Sequence, residues 1–153
     1  MTTGTTWGLE GVVRRPLIRS GMVLALAIFI AGCVHLVSDY DAWTYRSLTD
    51  LKAETLLFLD VVRDNPKATG LGQKLEDLKL AAGKAFEYEN GKAVNSETIA
   101  QLIEIRKLID GMARLYQEQG ALSPDYLKEK RVQFERAFDA AIATENLKIK
   151  QLR

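Results

Sequence analysis

An apolar segment near the N-terminus constrains this chain more than any other feature. It covers residues 22–31 without interruption and is followed by Gly32 and Cys33. Three basic residues precede it, namely Arg14, Arg15 and Arg19. A basic segment, an apolar core of roughly 7–15 residues and small residues beyond it are typical of a secretory signal peptide. Since the arginines stay on the cytoplasmic side, the pattern places the rest of the chain outside the cytoplasm.

The four residues that end this segment, Ile30-Ala31-Gly32-Cys33, resemble the lipobox of bacterial lipoproteins. The resemblance implies that residues 1–32 are a signal peptide cleaved between Gly32 and Cys33, and that Cys33 carries the lipid that holds the protein on a membrane. It implies a body facing the periplasm of the cell envelope. Val34 stands where some Gram-negative bacteria place Asp for inner-membrane retention, so the resemblance favours the outer membrane.

Two alternatives remain open for the same segment. Between Gly21 and Val37 the only strongly polar side chain is His35, so an uncleaved single-pass signal anchor is one of them. This window falls slightly short of the roughly 20 residues that a membrane-spanning helix needs. The other is a cytosolic protein in which the segment is a buried helix. The lipoprotein and the anchor place the body on the same side of the membrane.

Composition excludes some classes of partner for the body. Removing Arg14, Arg15 and Arg19 leaves the body with 18 of the 21 basic residues. Removing Glu10 leaves it with 19 of the 20 acidic residues, so the net charge of the body is −1. Nucleic-acid binding calls for a basic patch, so no nucleic-acid partner is expected. Residues 33–38 form a short tether in this interpretation. Residues 39–153 form one domain, which is long enough to bury a core without disulfides.

Boundary signals divide this domain into four helices. The first is predicted to open at a capping box, Ser38-x-x-Asp41, and to end at Asn65-Pro66. Residues 69–72 are predicted as a loop, and Asn90-Gly91 ends the second helix with residues that tolerate positive φ. The remaining signals are a cap at Asn95 or Ser96, a stop at Gly120, and a start at Ser123-Pro124.

Apolar periodicity predicts an all-α fold, an antiparallel up-down-up-down four-helix bundle after the N-terminal signal or anchor helix. Gly111 inside the third helix is expected to allow close approach of a neighbouring helix. Glu145 lies between core positions, and a carboxylate that reaches solvent is favoured over a buried ion pair. The predicted inner-face residues are Leu48, Leu51, Phe58, Val62, Leu71, Leu75, Leu78, Ala82, Phe86, Ile99, Leu102, Ile103, Ile109, Met112, Tyr116, Leu127, Phe134, Phe138, Ala141, Ile142 and Ile149. Leu56, Leu57, Leu59 and Val61 widen the stripe of the first helix, as expected for a helix that packs against several neighbours.

No motif for metal, cofactor or catalysis is found. His35 is the only histidine, so a di-iron bundle, which needs Glu-x-x-His pairs, is not expected. No C-x-x-C-H haem attachment site and no G-x-S-x-G nucleophile elbow occur. We therefore expect a protein without metal or cofactor and without enzymatic activity.

Two groups of residues are candidates for contact with a membrane surface. Tyr40, Trp43 and Tyr45 open the first helix, and such aromatic residues are enriched at membrane–water interfaces; plugging the end of the bundle is the equal alternative. Helix 4 runs antiparallel to helix 1, so its basic residues Lys148, Lys150 and Arg153 should end near the membrane. Cations there also suit the negative end of the helix dipole.

The body also resembles small uncharacterised helical lipoproteins of bacteria. The shared motifs are Tyr40-Asp41, Ser47-Leu48-Thr49, Leu122-Ser123-Pro124 and residues 138–145. The resemblance implies class and location and carries no activity. The favoured function is therefore a lipid-anchored, non-enzymatic envelope protein that binds another protein or acts as a structural accessory. The alternative is a small-molecule or lipid binder with a pocket lined by Phe58, Phe86, Phe134 and Phe138.

Overall fold

Four helices build the part of the chain that the structure, a computed structural model, describes, namely residues 39–93 and 95–151, with only the backbone of Lys150 and Gln151. They are α1 (Ala42–Asp64), α2 (Leu71–Asn90), α3 (Ser96–Gln119) and α4 (Pro124–Gln151), and no strand occurs in these ranges. The helical unit has the bounds Val37–Arg153. The predicted signal or anchor segment and the tether lie outside the described residues.

The helices pack as a ring in which each contacts two others. Contacts join α1 to α2, α2 to α3, α3 to α4, and α4 back to α1, and no diagonal pair packs together. The three connections are short, which makes consecutive helices antiparallel neighbours. The prediction of an all-α, up-down-up-down four-helix bundle is therefore confirmed.

The first helix starts later than its sequence signal suggests. Asp41 is the N-cap of α1, and its Oδ1 accepts a hydrogen bond from the Trp43 amide at 2.8 Å. In the predicted capping box, Ser38 is the N-cap and Asp41 is the residue inside the helix that bonds back to it. Ser38 lies outside the described residues. A carboxylate is among the strongest N-caps, so Asp41 needs no partner upstream.

Burial also moves the start of the second helix. The sequence places Leu71 in a loop, but this residue is 1% exposed and begins α2, directly after Gly70 in the left-handed conformation (φ 82°). The loop therefore ends at Gly70 and not at residue 72 as predicted, whereas the prediction of Leu71 as an inner-face residue is confirmed. Asn90-Gly91 ends α2 as predicted, yet Gly91 has a φ of −77°, so that helix end does not use positive φ.

The core of the bundle follows the predicted periodicity with local shifts. On α3 the buried side chains are those of Leu102, Ile105, Ile109 and Met112, whereas Ile103 is 37% exposed. The prediction of an inward Ile103 is wrong, because the stripe passes through Ile105 instead. Five further predicted inner residues are only half-buried, namely Phe86, Ile99, Tyr116, Ile142 and Ile149. Of the four residues expected to widen the stripe of α1, Leu59 is buried and Leu56 and Val61 are half-buried. The prediction is wrong for Leu57, which is 63% exposed.

Two glycines of α3 provide a matched stability test. Gly111 does not mark a close helix approach as expected, because a Cβ added there meets nothing within 4 Å. We expect Gly111→Ala to raise the free energy of unfolding by about 1 kcal/mol, since Ala is the better helix former. Gly120→Ala should lower it by roughly 1–2 kcal/mol, because Gly120 ends α3 at a φ of 70°. Urea unfolding followed by circular dichroism measures both changes, and shifts of the same sign would contradict the roles given to these two glycines.

Candidate functional site

One end of the bundle is crossed by a layer of buried polar side chains, called here the polar layer. Every helix contributes, and each member is at most 4% exposed. The layer consists of Thr44 from α1, Glu89 from α2, Asn95 and Thr98 from the start of α3, and Glu145 and Lys148 from α4. Charged side chains are almost never this buried unless they are paired, so the hydrogen bonds of the layer decide whether this end of the bundle is stable.

An ion pair on α4 forms one half of the polar layer. The Lys148 ammonium donates to Glu145 Oε1 at 2.6 Å, to Asn95 Oδ1 at 2.9 Å and to Thr98 Oγ1 at 3.1 Å. The Thr98 hydroxyl in turn donates to Glu145 Oε1 at 2.9 Å. Glu145 Oε2 is buried and makes no hydrogen bond within the described residues. One carboxylate oxygen therefore carries all the hydrogen bonds of this side chain.

Glu89 organises the other half. It accepts hydrogen bonds from the Thr44 hydroxyl and the Asn95 amide. It also accepts one from Lys92, whose Nζ lies 2.8 Å from Glu89 Oε1. Because Asn95 donates to Glu89 and accepts from Lys148, it joins the two halves. The connection between α2 and α3 is thereby tied to both α2 and α4.

These contacts overturn two predictions. The expectation of a solvent-reaching Glu145 is wrong, and the buried ion pair is correct, with Lys148 as its partner. The prediction that Lys148 contacts a membrane surface is wrong as well, because its ammonium points into the bundle. Both residues continue the inward stripe of Phe134, Phe138 and Ala141 at helical spacing, so the periodicity already carried this signal. The Lys150 side chain and Arg153 lie outside the described part.

Breaking the α4 ion pair gives a sharp test of the layer. We expect Lys148→Met to destabilise the fold by about 3–5 kcal/mol, because it leaves the buried Glu145 carboxylate without a counter-charge. Adding Glu145→Leu should recover most of that loss, since an apolar pair of similar volume needs no partner. Chemical denaturation at neutral pH measures both.

The matched control is Lys107→Met on α3. Lys107 pairs with Glu104 at the same i,i+3 spacing and at 2.7 Å, but both side chains are about two-thirds exposed, at 66% and 64%. Loss of this exposed ion pair should lower the free energy of unfolding by less than about 1 kcal/mol. A Lys148→Met effect no larger than this control would rule out a structural role for the buried pair.

At the edge of the layer a half-exposed cluster holds the start of α1 against the end of α2. Asp41 Oδ2 accepts hydrogen bonds from Tyr88 at 2.6 Å and from Lys92 at 2.7 Å. Burial alone would raise the pKa of the Asp41 carboxyl, but the hydrogen bonds from Lys92, Tyr88 and the Trp43 amide outweigh it and hold the pKa well below its usual range. Burial lowers the pKa of Lys92, and its bonds to Asp41 and Glu89 more than reverse this. Both groups are therefore charged at neutral pH.

The predicted aromatic group lies beside this cluster. The Tyr40 and Tyr45 rings are 6.4 Å apart, and both residues are half-buried. Trp43 packs on Tyr88, with ring centroids 4.0 Å apart, and remains 45% exposed. Trp43 therefore packs against the end of α2 while much of its ring stays in solvent. Contact of these three residues with a membrane stays a prediction.

A long surface groove follows the seam between α1 and α2, the most loosely packed pair of neighbouring helices. It has two stretches, of about 460 Å³ near Trp43 and about 280 Å³ near Leu57, and both border Glu54. We call them together the α1–α2 groove. Its lining residues are Trp43, Arg46, Ser47, Asp50, Leu51, Glu54, Leu57, Phe58 and Val61 on α1, and Lys74, Asp77, Leu78, Ala81 and Lys84 on α2.

The groove combines exposed apolar side chains with balanced charge. Leu57 is 63% exposed and Trp43 is 45% exposed. Small side chains, Ser47 and Ala81, leave the space between the helices open. The charged residues of the lining are Arg46, Lys74 and Lys84 against Asp50, Glu54 and Asp77, so its formal charge is zero. Sequence reasoning missed this surface because it assigned Leu57 and Val61 to a widened inner stripe of the first helix.

The phenylalanines proposed to line an interior pocket have other positions. Phe134 and Phe138 are fully buried in the core, with ring centroids 6.2 Å apart. Phe86 lies at the surface beneath Arg106, whose guanidinium is 4.6 Å from its ring. Phe58 is buried and forms part of the floor of the α1–α2 groove. These four residues do not converge on one cavity.

The described part of the chain also contains a surface pocket of about 330 Å³ between the end of α1 and the start of α4, lined by Leu59, Arg63, Pro124, Asp125, Leu127, Lys128 and Arg131. It holds no group of three or more His, Cys, Asp or Glu side chains arranged to bind a metal ion. None of its four helices combines the length and the apolar composition that crossing a bilayer requires. No protein-family model matches this chain, and no curated protein or solved structure is significantly similar to it. The function is therefore inferred from the surface of the bundle and from the sequence.

Proposed function

We propose that this chain is a lipid-anchored, non-enzymatic protein of the bacterial cell envelope whose helical bundle binds another protein through the α1–α2 groove. The observation that carries the binding role is the exposure of Leu57 and Trp43 along a groove between two helices. The anchor rests on Ile30-Ala31-Gly32-Cys33 and on the basic and apolar residues before it.

The shape of the groove fits a helix. On α1 its lining recurs at Trp43, Ser47, Asp50, Glu54, Leu57 and Val61, and on α2 at Lys74, Asp77, Ala81 and Lys84. Both stripes have the three- and four-residue steps of one helix face. From Trp43 to Val61 the groove extends over about 27 Å. Amphipathic helices commonly bind by laying an apolar stripe into such a groove.

The composition of the groove favours a protein partner. Its apolar floor consists of Leu51, Phe58 and Leu78, and charged residues line its rims. Leu57 and Trp43 add exposed apolar surface to this floor. The rims carry both signs of charge, which suits a helix with acidic and basic flanks.

Replacing Cys33 tests the anchor. In cells supplied with labelled palmitate, the full-length wild type should incorporate label and lose residues 1–32, whereas Cys33→Ser should do neither, since Cys33 is the only cysteine. Intact mass spectrometry and radiolabelling measure both outcomes. A wild-type protein that retains residues 1–32 and carries no lipid would refute the anchor and leave the binding role to be judged separately.

A photoreactive residue tests the groove. Placed at Leu57 in the full-length chain, it should cross-link to protein in intact membranes. The matched control is the same residue at Ile103 on α3, an aliphatic position that is also exposed, at 37%. Adducts from position 57 but not from position 103 are expected. Equal yields from both positions, or none from either, would contradict a binding role for the groove.

A further inference from the structure

We propose that the protein bound in the α1–α2 groove is a second copy of this chain, whose α1 packs antiparallel to α1 in a two-fold symmetric dimer. The proposal rests on the groove of the proposed function and adds the identity of the partner. A two-fold interface uses the same patch on both subunits, so the patch must be complementary to itself. The exposed face of α1 meets this condition.

Two pairs of residues on this face are complementary and lie at equal distances on either side of Asp50. When two α1 helices cross antiparallel with the two-fold axis beside Asp50, residues equally distant from Asp50 face each other. Arg46 then faces Glu54 of the partner subunit, and Trp43 faces Leu57 of the partner subunit. Symmetry repeats each pair, which gives two ion pairs and two apolar contacts.

Three of the side chains needed for this match, those of Arg46, Glu54 and Leu57, are exposed, and Trp43 keeps 45% of its surface in solvent while it packs on Tyr88. The Arg46 side chain is 83% exposed, and its only described ion pair is the long one to Asp50, at 3.7 Å. Glu54 borders both stretches of the groove and has no ion pair among the described residues. Leu57 is the most exposed large apolar side chain of the described part, at 63%.

The like charges at the axis have counter-charges nearby. Two Asp50 carboxylates face each other there, and like charges in contact would oppose the dimer. Lys84 borders the same stretch of groove as Asp50, so the dimer places two Lys84 ammoniums beside the two carboxylates. In each copy Arg46 and Lys84 balance Asp50 and Glu54, and the paired surfaces are neutral overall.

A disulfide experiment in membranes tests the register. Trp43 and Leu57 lie seven residues to either side of Asp50 and should face each other across the dimer. Two differently tagged full-length chains, one with Trp43→Cys and one with Leu57→Cys, are co-expressed and oxidised. We expect the mixed disulfide to exceed either homotypic one at least fivefold, because equal positions are offset by about 21 Å along the helix. The chain with Cys33 alone gives the background.

Charge reversal tests the pairing. Arg46→Glu and Glu54→Arg should each lower the yield of the mixed disulfide about tenfold, because each replaces two attractive pairs with two repulsive ones. The two changes combined in both chains should restore the yield to within about twofold of the starting value. The matched control is Arg114→Glu on α3, since Arg114 is 79% exposed and has a similar i,i+4 partner, Glu118, at 4.0 Å; it should leave the yield unchanged.

The outcomes separate this proposal from the proposed function. Homotypic disulfides as strong as the mixed one, or no rescue by the combined reversal, would overturn the antiparallel dimer. If the photoreactive residue at Leu57 then gives adducts to a protein of another mass, the groove still binds protein, and only the identity of the partner is wrong. If position 57 gives no adduct at all, both proposals fall.

Discussion

The buried ion pair between Lys148 and Glu145 is the interaction on which the arrangement of the helices depends most. Two ions without water around them are tolerated only when hydrogen bonds replace the solvent, and here Thr98 and Asn95 supply those bonds. If α4 slid by one turn against α3, both charges would lie in an apolar interior without their hydrogen-bond partners. Apolar contacts are less directional than these hydrogen bonds, so the polar layer favours the observed register of α4 against α3.

The same layer fixes one end of the α1–α2 pair. Asn95 ties the α2–α3 connection to Glu89 and Lys148, while Asp41 with Lys92 fastens the start of α1 to the end of α2. The α1–α2 groove begins next to this end, at Trp43, and follows the seam between the two helices. One end of the helix pair is therefore held by hydrogen bonds, and the groove with its mixed apolar and charged lining occupies the seam beside it.

Sequence reasoning reached the architecture because helical periodicity depends on each segment alone. The four helices, the ends at Asn65-Pro66 and Gly120, and core residues such as Phe138 followed from spacing and caps. The polar layer did not, because Glu145 and Lys148 have the residue types of surface charges, and their partners Thr98 and Asn95 come from a different helix and its cap. The groove was missed for a related reason: which exposed stripes of α1 and α2 border each other is decided by packing, which no single helix encodes.

Membrane attachment would lower the affinity that the groove needs in order to bind its partner. Under the proposed anchor, the eight residues from Val34 to Asp41 span at most about 29 Å when fully extended, so the bundle stays close to the bilayer surface. Two copies tethered in one plane meet at a high effective concentration, and a weak interface then suffices for association. Trp43 and Leu57 supply apolar contact and Arg46 with Glu54 supplies orientation, a division of roles that suits a modest, reversible dimer. A groove with balanced rather than single-sign charge is what such a self-pairing surface requires, because any net charge would be doubled, and would repel, in the dimer.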